Sequence, residues 1–417
     1  MESSGKEKTR LEILYDGHYY DVTDFVRRHP GGREIIGFYT HPNEDATIPI
    51  QQFHARSLDK VTGIMKTLKR RRAPEIPEAE VSAIKKKIQM RNKELTEDFT
   101  KLYLELKAEG LFQPSYFHIA WRLMETLLFA FLGLYLITNY SNFWTKLLGC
   151  FIFATAQARA GWLQHEGGHL SLTGNPKLDR LLQVYLLGSI EGWSAIMWRR
   201  HHNLHHAMTQ RIGKDIDLDV SPIFLLNIDV LHDPSQVNHP LYKYQLWFAP
   251  FFVPLGELYF CVWKTGRCLL KYRVPEEIFA IGIFYVIAYW IGLWPWIFTR
   301  YITMSYFFVN FGLSHTHLPV TNKPTHWVEH ALVHTADVEQ RPWCDWWMGY
   351  LNYQIEHHLF PTMPEFRNKL AVERVKALSQ KHGLPYNVYS YKEAIVRMVC
   401  NVWDVTQKVK QFPQKSK

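Results

Sequence analysis

The most constraining stretch of this 417-residue chain is Gln354-Ile355-Glu356-His357-His358, followed by Leu359-Phe360-Pro361. A glutamine with histidines three and four residues later sets three nitrogen or oxygen donors on one helical face. Two other stretches repeat the pattern: His165-Glu166-Gly167-Gly168-His169 and His202-Asn203-Leu204-His205-His206. A lone histidine pair is an ordinary surface feature. Three clusters, each beside an apolar run, call for a fold that gathers distant segments around metal at a membrane border. His165, His169, His202, His205, His206, His357 and His358 supply seven imidazoles, with His315 or His317 and Gln354 in reserve. A single zinc takes four ligands in ordinary sites. The larger set points to two ions, and nitrogen-rich sites with redox work suit iron.

Two other metal readings are weaker. His165-Glu166-x-x-His169 matches the zinc-protease pattern, in which the glutamate is a general base. That reading needs one further ligand, leaves two clusters unused, and puts Gly167-Gly168 into a helix that must be rigid. Asp215-x-Asp217-x-Asp219 has the spacing of a calcium loop, but Val220 replaces the required glycine and Leu226 the closing glutamate. These carboxylates read instead as support for the histidines. His201 fits no cluster and reads as a neighbour.

Mean hydropathy is −0.20, yet aromatics make up 15% of the chain and long apolar runs are present, which suits a polytopic membrane protein with soluble parts. Four spans are expected, at 121–138, 144–163, 278–298 and 301–312, with turns near 139–143 and 299–301 that carry only Arg300. Gln157 and Arg159 interrupt the second span, so Arg159 either snorkels to the cytosolic border or lines a polar cavity. Residues 246–263 are apolar but carry Pro250, Pro254 and Glu257, as an interfacial or re-entrant helix would. Basic residues beside Arg199-Arg200 and in 264–273 place both termini and every histidine cluster in the cytosol. The net charge of +9 is concentrated at 66–72 and 85–87, which suits anionic lipid or plain solvation; no nucleic-acid motif accompanies it. Five scattered cysteines form neither a disulfide framework nor a zinc ribbon and suggest a reducing compartment. Residues 1–10 are polar, so no cleavable signal peptide is expected and the first membrane helix does the targeting.

Ahead of the apolar region, residues 11–72 contain His29-Pro30-Gly31-Gly32 and, later, His54. This order of acidic cap, His-Pro-Gly-Gly and second histidine resembles cytochrome b5. Two neutral imidazoles on opposing loops fill both axial positions of a haem b iron, which then carries electrons and does not bind oxygen. Ala55 follows His54 where that family usually has serine. A segment from 73 to 118 holds a Pro-rich linker. After it, Val81, Ile84, Ile88, Leu95, Phe99, Leu102 and Leu106 recur at helical spacing, marking an amphipathic helix that packs on the haem domain or lies on the membrane. Residues 119–400 form the membrane domain.

With the haem domain, the three clusters and the run Gln354 to Pro364, the chain resembles the front-end fatty acyl desaturases over residues 11–390. Leu172-Thr173-Gly174-Asn175 and Ser314-His315-Thr316-His317-Leu318 look most like an acyl-CoA-using subset, and Glu166 stands where aspartate is commoner. The resemblance implies a multidomain fold. A small α+β cytochrome b5-like haem domain precedes an all-α polytopic membrane domain with about four transmembrane helices and a cytosolic di-metal cap. It also implies two irons held by His165, His169, His202, His205, His206, His315, His317, His357 and His358, with Gln354 as a weak catalytic ligand. His29 and His54 would hold the haem. O2 would be the co-substrate, a fatty acyl-CoA or acyl-lipid the substrate, and an NADH-cytochrome b5 reductase-type protein the electron donor, in the endoplasmic reticulum membrane. Insertion at delta-6 or delta-5 is expected, delta-4 or delta-8 less so. Arg199, Arg200 or Lys214 could meet head-group phosphates. The competing readings are a sphingoid-base desaturase, a haem-fused lipid hydroxylase, and a non-enzymatic haem electron carrier; the last would not need a complete set of cluster histidines.

Overall fold

The computed structural model describes residues 10–41, 44–73, 83–218, 224–231, 237 and 239–411. The N-terminal unit is an antiparallel sheet of β1 (Glu12–Tyr15), β2 (His18–Asp21) and β3 (Arg70–Arg72), with β2 central. Helices α1 (Arg33–Phe38), α2 (Thr47–Phe53) and α3 (Leu58–Thr67) complete it. Alternation along the strands sends Ile13 and Tyr20 inward, where they meet Val22, Ile35 and Met65.

The amphipathic helix is α4 (Ala83–Ala108). Its buried face of Leu95, Phe99, Leu102 and Leu106 packs mainly on the segment of the third histidine cluster, with Phe99 stacked on Phe360 at 5.4 Å. Among the described residues of the N-terminal unit, Ile48 alone is buried in this core. The side chains of Val81 and Ile84 lie outside the described residues, and Ile88 is exposed.

Two long helices follow, α5 (Tyr116–Asn139) and α6 (Phe143–Gly168), capped by Ser115 and Asn142. Helix α7 (Pro176–Tyr185) widens into a π-type turn at Leu186–Glu191 and leads to α8 (Ala195–Ala207), capped by Ser194. Helix α9 (Pro240–Glu257) runs through both prolines and continues by a second π-type stretch into α10 (Thr265–Tyr272). Then come α11 (Pro275–Ile291) and α12 (Leu293–Gly312). The C-terminal part comprises α13 (Trp327–His334), α14 (Pro342–Trp347), α15 (Gln354–Leu359), α16 (Val372–Lys381) and α17 (Tyr391–Gln411), with a parallel pair β4 (Asp337–Val338) and β5 (Val388–Tyr389).

Three expectations change here. The turn between the third and fourth apolar segments lies at Gly292, where φ is +86°, not at 299–301. Residues 293–298 are as apolar as those before them, so hydropathy alone hid the break; the left-handed backbone that ends α11 favours glycine. Arg300 therefore sits inside α12, buried and 3.1 Å from Glu191. Arg159 does not snorkel: it is buried, paired with Glu125 of α5 at 2.9 Å, and it donates to the Trp346 carbonyl. Among the described residues, α5 alone is long and apolar enough to cross a membrane by length and composition. Its 24 residues span about 36 Å. Helices α6 and α12 carry inward-facing polar groups such as Gln157, Arg159 and Arg300, and α11 has only 17 residues. Large apolar side chains nevertheless face outward along α5 (Leu127, Leu128, Phe131) and α11 (Phe279, Val286, Tyr289).

Candidate metal and haem centres

Helix α6 delivers His165 and His169 one turn apart at its C-terminal end, α8 delivers His202, His205 and His206, and α15 delivers Gln354, His357 and His358. Adjacent residues on a helix point about 100° apart, so each neighbouring pair divides. His206 and His357 join His165, His169 and His202, while His205 and His358 join His315 from the turn after α12. Within each group the ring nitrogens lie within 4.8 Å of one another. In the first, Nε2 of His206 is 3.0 Å from Nε2 of His202 and 3.0 Å from Nε2 of His357. Neighbouring ligands at right angles, each about 2.1 Å from one ion, stand about 3.0 Å apart. The buried Nε2 atoms of His165 and His169 have no protein partner. In the second group the Gln354 amide is 3.1 Å from Nε2 of His315 and 3.1 Å from Nε2 of His358. Amide nitrogen and oxygen are interchangeable in such an assignment, and rotation would turn the oxygen, a metal donor, toward these rings. The donor sets fit two ions.

In the N-terminal unit the rings of His29 and His54 face each other with centroids 6.1 Å apart. Two imidazoles joined through one iron, at about 2 Å per bond, place their centroids about 6 Å apart. The Nδ1 of His29 donates to the Gly32 carbonyl at 3.0 Å, which leaves Nε2 for metal. Burial lowers both imidazoles, His54 to about 4, so both stay neutral at physiological pH.

The fatty acid desaturase family model matches residues 141–390, which contain all three clusters. The chain belongs to the fatty acid desaturase family. Residues 2–74 match the cytochrome b5-like haem/steroid binding domain, so the desaturase carries a fused haem-binding unit. It is 38% identical over 415 residues to an acyl-lipid (8-3)-desaturase of Rebecca salina, covering 96% of this chain and 92% of that one. A protein of the same name from a Thraustochytrium species is 35% identical, covering 98% and 95%. A fatty acid desaturase 2-like protein of Mus musculus is 30% identical, covering 90% and 78%.

Neighbouring polar groups hold these histidines in place. Glu365, 200 residues from His165 in sequence, accepts from its Nδ1 at 2.5 Å. Asp215 accepts from Nδ1 of His205 at 3.1 Å, the supporting role expected of it; Asp219 lies outside the described residues. Asp217 also approaches Nδ1 of His205, at 3.3 Å. His201 binds Asp217 at 2.6 Å and joins neither group. Nδ1 of His315 donates to the His334 carbonyl at 3.1 Å, and Nδ1 of His358 is 3.2 Å from the Thr209 hydroxyl. Asp337, pushed up to about 6 by burial, accepts from Ile355 N at 3.0 Å and fixes the start of α15. Glu166 lies outside both histidine groups and pairs with Arg122 of α5 at 2.5 Å.

Two placements differ from expectation. His317 lies outside both groups, against the Tyr389 ring at 5.2 Å, because two residues along this turn reverse the side-chain direction. Gln354 shares its group with His358, one helical turn away, and not with His357. Of the proposed phosphate contacts, Arg199 donates to Gln183, Arg200 to the Tyr272 hydroxyl, and Lys214 pairs with Glu44. Sequence reasoning missed Glu365, Asp337 and Gly168. A Cβ on Gly168 would sit 2.2 Å from the Trp198 ring, which stacks on His202 at 4.4 Å. Gly168 lets α6 approach α8 closely enough for one metal group, while Gly167 lies against Asp179 and Gln183 of α7.

Proposed function

We propose that this desaturase is a front-end enzyme inserting a cis double bond between an existing double bond and the carboxyl end of a polyunsaturated acyl chain, at delta-6 or delta-5. The substrate is an acyl-CoA or an acyl-lipid. The observation that carries the reading is the pair of adjoining histidine groups on a chain that also presents a facing, neutral His29–His54 pair. The first group would hold one iron through His165, His169, His202, His206 and His357, and the second another through His205, His315, His358 and Gln354. When bound, these irons supply the activation of O2 needed to remove hydrogen from an unactivated methylene, with two electrons entering by way of the haem.

The chain's own residues do the rest. Glu365 and Asp215 fix the ring orientation of His165 and His205 and keep Nδ1 protonated, so that Nε2 stays a donor. Trp198 stacks on His202 and excludes water from that side. The outward apolar faces of α5 and α11 are solvated by lipid, so α5, α6, α11 and α12 serve as four spans in the endoplasmic reticulum membrane. Termini and histidines face the cytosol, where an NADH-cytochrome b5 reductase-type donor reduces the haem. Defined polyunsaturated fatty acids fed to a host lacking them, followed by mapping of product double bonds, test the reading. One new double bond at delta-5 or delta-6 is expected. Hydroxylated acyl chains or altered sphingoid bases as the sole products would replace it.

A further inference from the structure

The two centres are joined by a packed and hydrogen-bonded interface. Ala207 and Met208, the residues immediately after His206, belong to the hydrophobic core of the N-terminal unit, and the Tyr39 hydroxyl donates to the Ala207 carbonyl at 3.3 Å. Glu44 of that unit and Arg211 of the metal domain form a buried ion pair at 2.5 Å, and Arg211 also reaches the Lys323 carbonyl. The segment bearing His54 is held as well. Arg56 donates to the Phe112 carbonyl, with the Thr362 carbonyl at 3.4 Å, and Phe53 meets the edge of Trp327 at 5.6 Å. Trp327 opens α13, whose His330 donates from Nε2 to the Thr209 carbonyl at 2.6 Å, and the Thr209 hydroxyl is 3.2 Å from Nδ1 of His358.

We propose that the haem domain stays docked throughout turnover, clamped by Glu44–Arg211, and that the Phe53–Trp327 contact bridges electrons from the His54 side of the haem to the His205/His315/His358 group. This rests on the haem and di-metal reading of the two centres. Undocking exposes the apolar surface around Ala207 and Met208, and the buried Glu44–Arg211 pair penalises any other alignment of the contact. A domain that swung freely between an external donor and the metal centre would have solvated charges at this contact. Two electrons cross one at a time per double bond, each leaving a ferrous haem ferric and reducing the metal group by one. O2 takes up those two, plus two from the substrate's broken C–H bonds, and leaves as two waters with two protons from solvent. The flavin reductase restores the ferrous haem. Glu44, Arg211 and Trp327 are positioning and bridging residues; none touches the acyl chain.

The test uses full-length protein in lipid nanodiscs, comparing wild type with Glu44→Gln, Trp327→Leu and the charge swap Glu44→Arg with Arg211→Glu. Haem absorbance, the rate of haem reduction by NADH with a flavin reductase, the rate of haem reoxidation under O2 with acyl substrate, and hydrogen exchange across 44–56 are read for each. Trp327→Leu is expected to slow reoxidation, with reduction and exchange unchanged. Glu44→Gln is expected to slow reoxidation and accelerate exchange together, and the charge swap to recover part of both. Wild-type reoxidation in both single variants, with haem and iron intact, overturns the bridge alone. Exchange across 44–56 that is already fast in wild type overturns the docked state. A wild-type chain that binds no haem, or whose reduced haem is indifferent to substrate, overturns the functional reading and the bridge with it.

Discussion

Replacing Asp215 separates the two metal groups experimentally. Its carboxylate is buried, with both oxygens 3.1 Å from Nδ1 of His205, and it also accepts from the backbone N–H groups of Gln210 at 2.7 Å and Asp217 at 3.0 Å. Asp215→Ala would leave two buried donors and one half-buried donor without this acceptor, at about 1–3 kcal/mol for each buried one. The sum is a large part of the stability of a domain, about 5–15 kcal/mol, so alanine would report on folding. Asp215→Asn retains one acceptor oxygen and removes the charge that holds His205 in orientation. Loss of such an outer partner weakens metal binding about 10- to 100-fold, or about 1.4–2.7 kcal/mol. His205 belongs to the group with His315 and His358, so one of two irons is affected. The assay is iron per chain and its rate of release to a chelator, with the haem band as an internal control for folding. Asp215→Asn should show one slow and one accelerated release phase, where wild type shows two slow ones. Unchanged release, or equal acceleration of both phases, would refute the assignment of Asp215 to a single site.

Gln354→Ile should lose one iron and the activity while Gln354→His keeps measurable amounts of both, and His317→Ala should keep both irons; metal analysis and product formation on purified protein check each. Gly168→Ala should force Trp198 off His202 at an overpacking cost of about 1–3 kcal/mol, lowering iron content while the haem spectrum is retained, as spectroscopy and metal analysis on one sample would show.

The histidine clusters were legible because each lies within two helical turns, where spacing alone fixes a common face. Their division into two groups was less so. It depends on where α6, α8 and α15 cross, which rotates His206 and His357 toward one centre and His205 and His358 toward the other. Glu365 gave no signal, because nothing local ties a carboxylate to a histidine 200 residues away. Gly167-Gly168 was visible but read with the wrong sign: helix propensity counts against the pair, while the tertiary approach of Trp198 requires Gly168. The haem unit was legible throughout, since His29 and His54 sit in a local pattern that ends with β3. The break at Gly292 was poorly marked in the sequence, because Gly282 stands in the same apolar stretch and the charge of Arg300 drew the turn toward itself.

That misplacement leads to the charges buried among the long helices. Arg122 of α5 pairs with Glu166 of α6, Arg159 of α6 pairs back to Glu125 of α5, and Arg300 of α12 pairs with Glu191 after α7. Each pair joins two elements, and none joins residues of one helix. A buried ion pair adds little net stability, because desolvation of the charges offsets most of their attraction. It does penalise wrong registers. A slip of α6 by one residue against α5 would move His165 about 1.5 Å along the axis and turn it about 100°, and would also part both Arg–Glu contacts on that interface. Apolar side chains would tolerate such a slip far better, since leucine against leucine is nearly indifferent to register. The reciprocal Arg122–Glu166 and Arg159–Glu125 contacts make the α5–α6 alignment specific over the roughly two turns that run into the first cluster. Ligand nitrogens that must meet one ion within a few tenths of an ångström need that specificity more than they need stability, which is a physical reason for spending charge inside an otherwise apolar bundle.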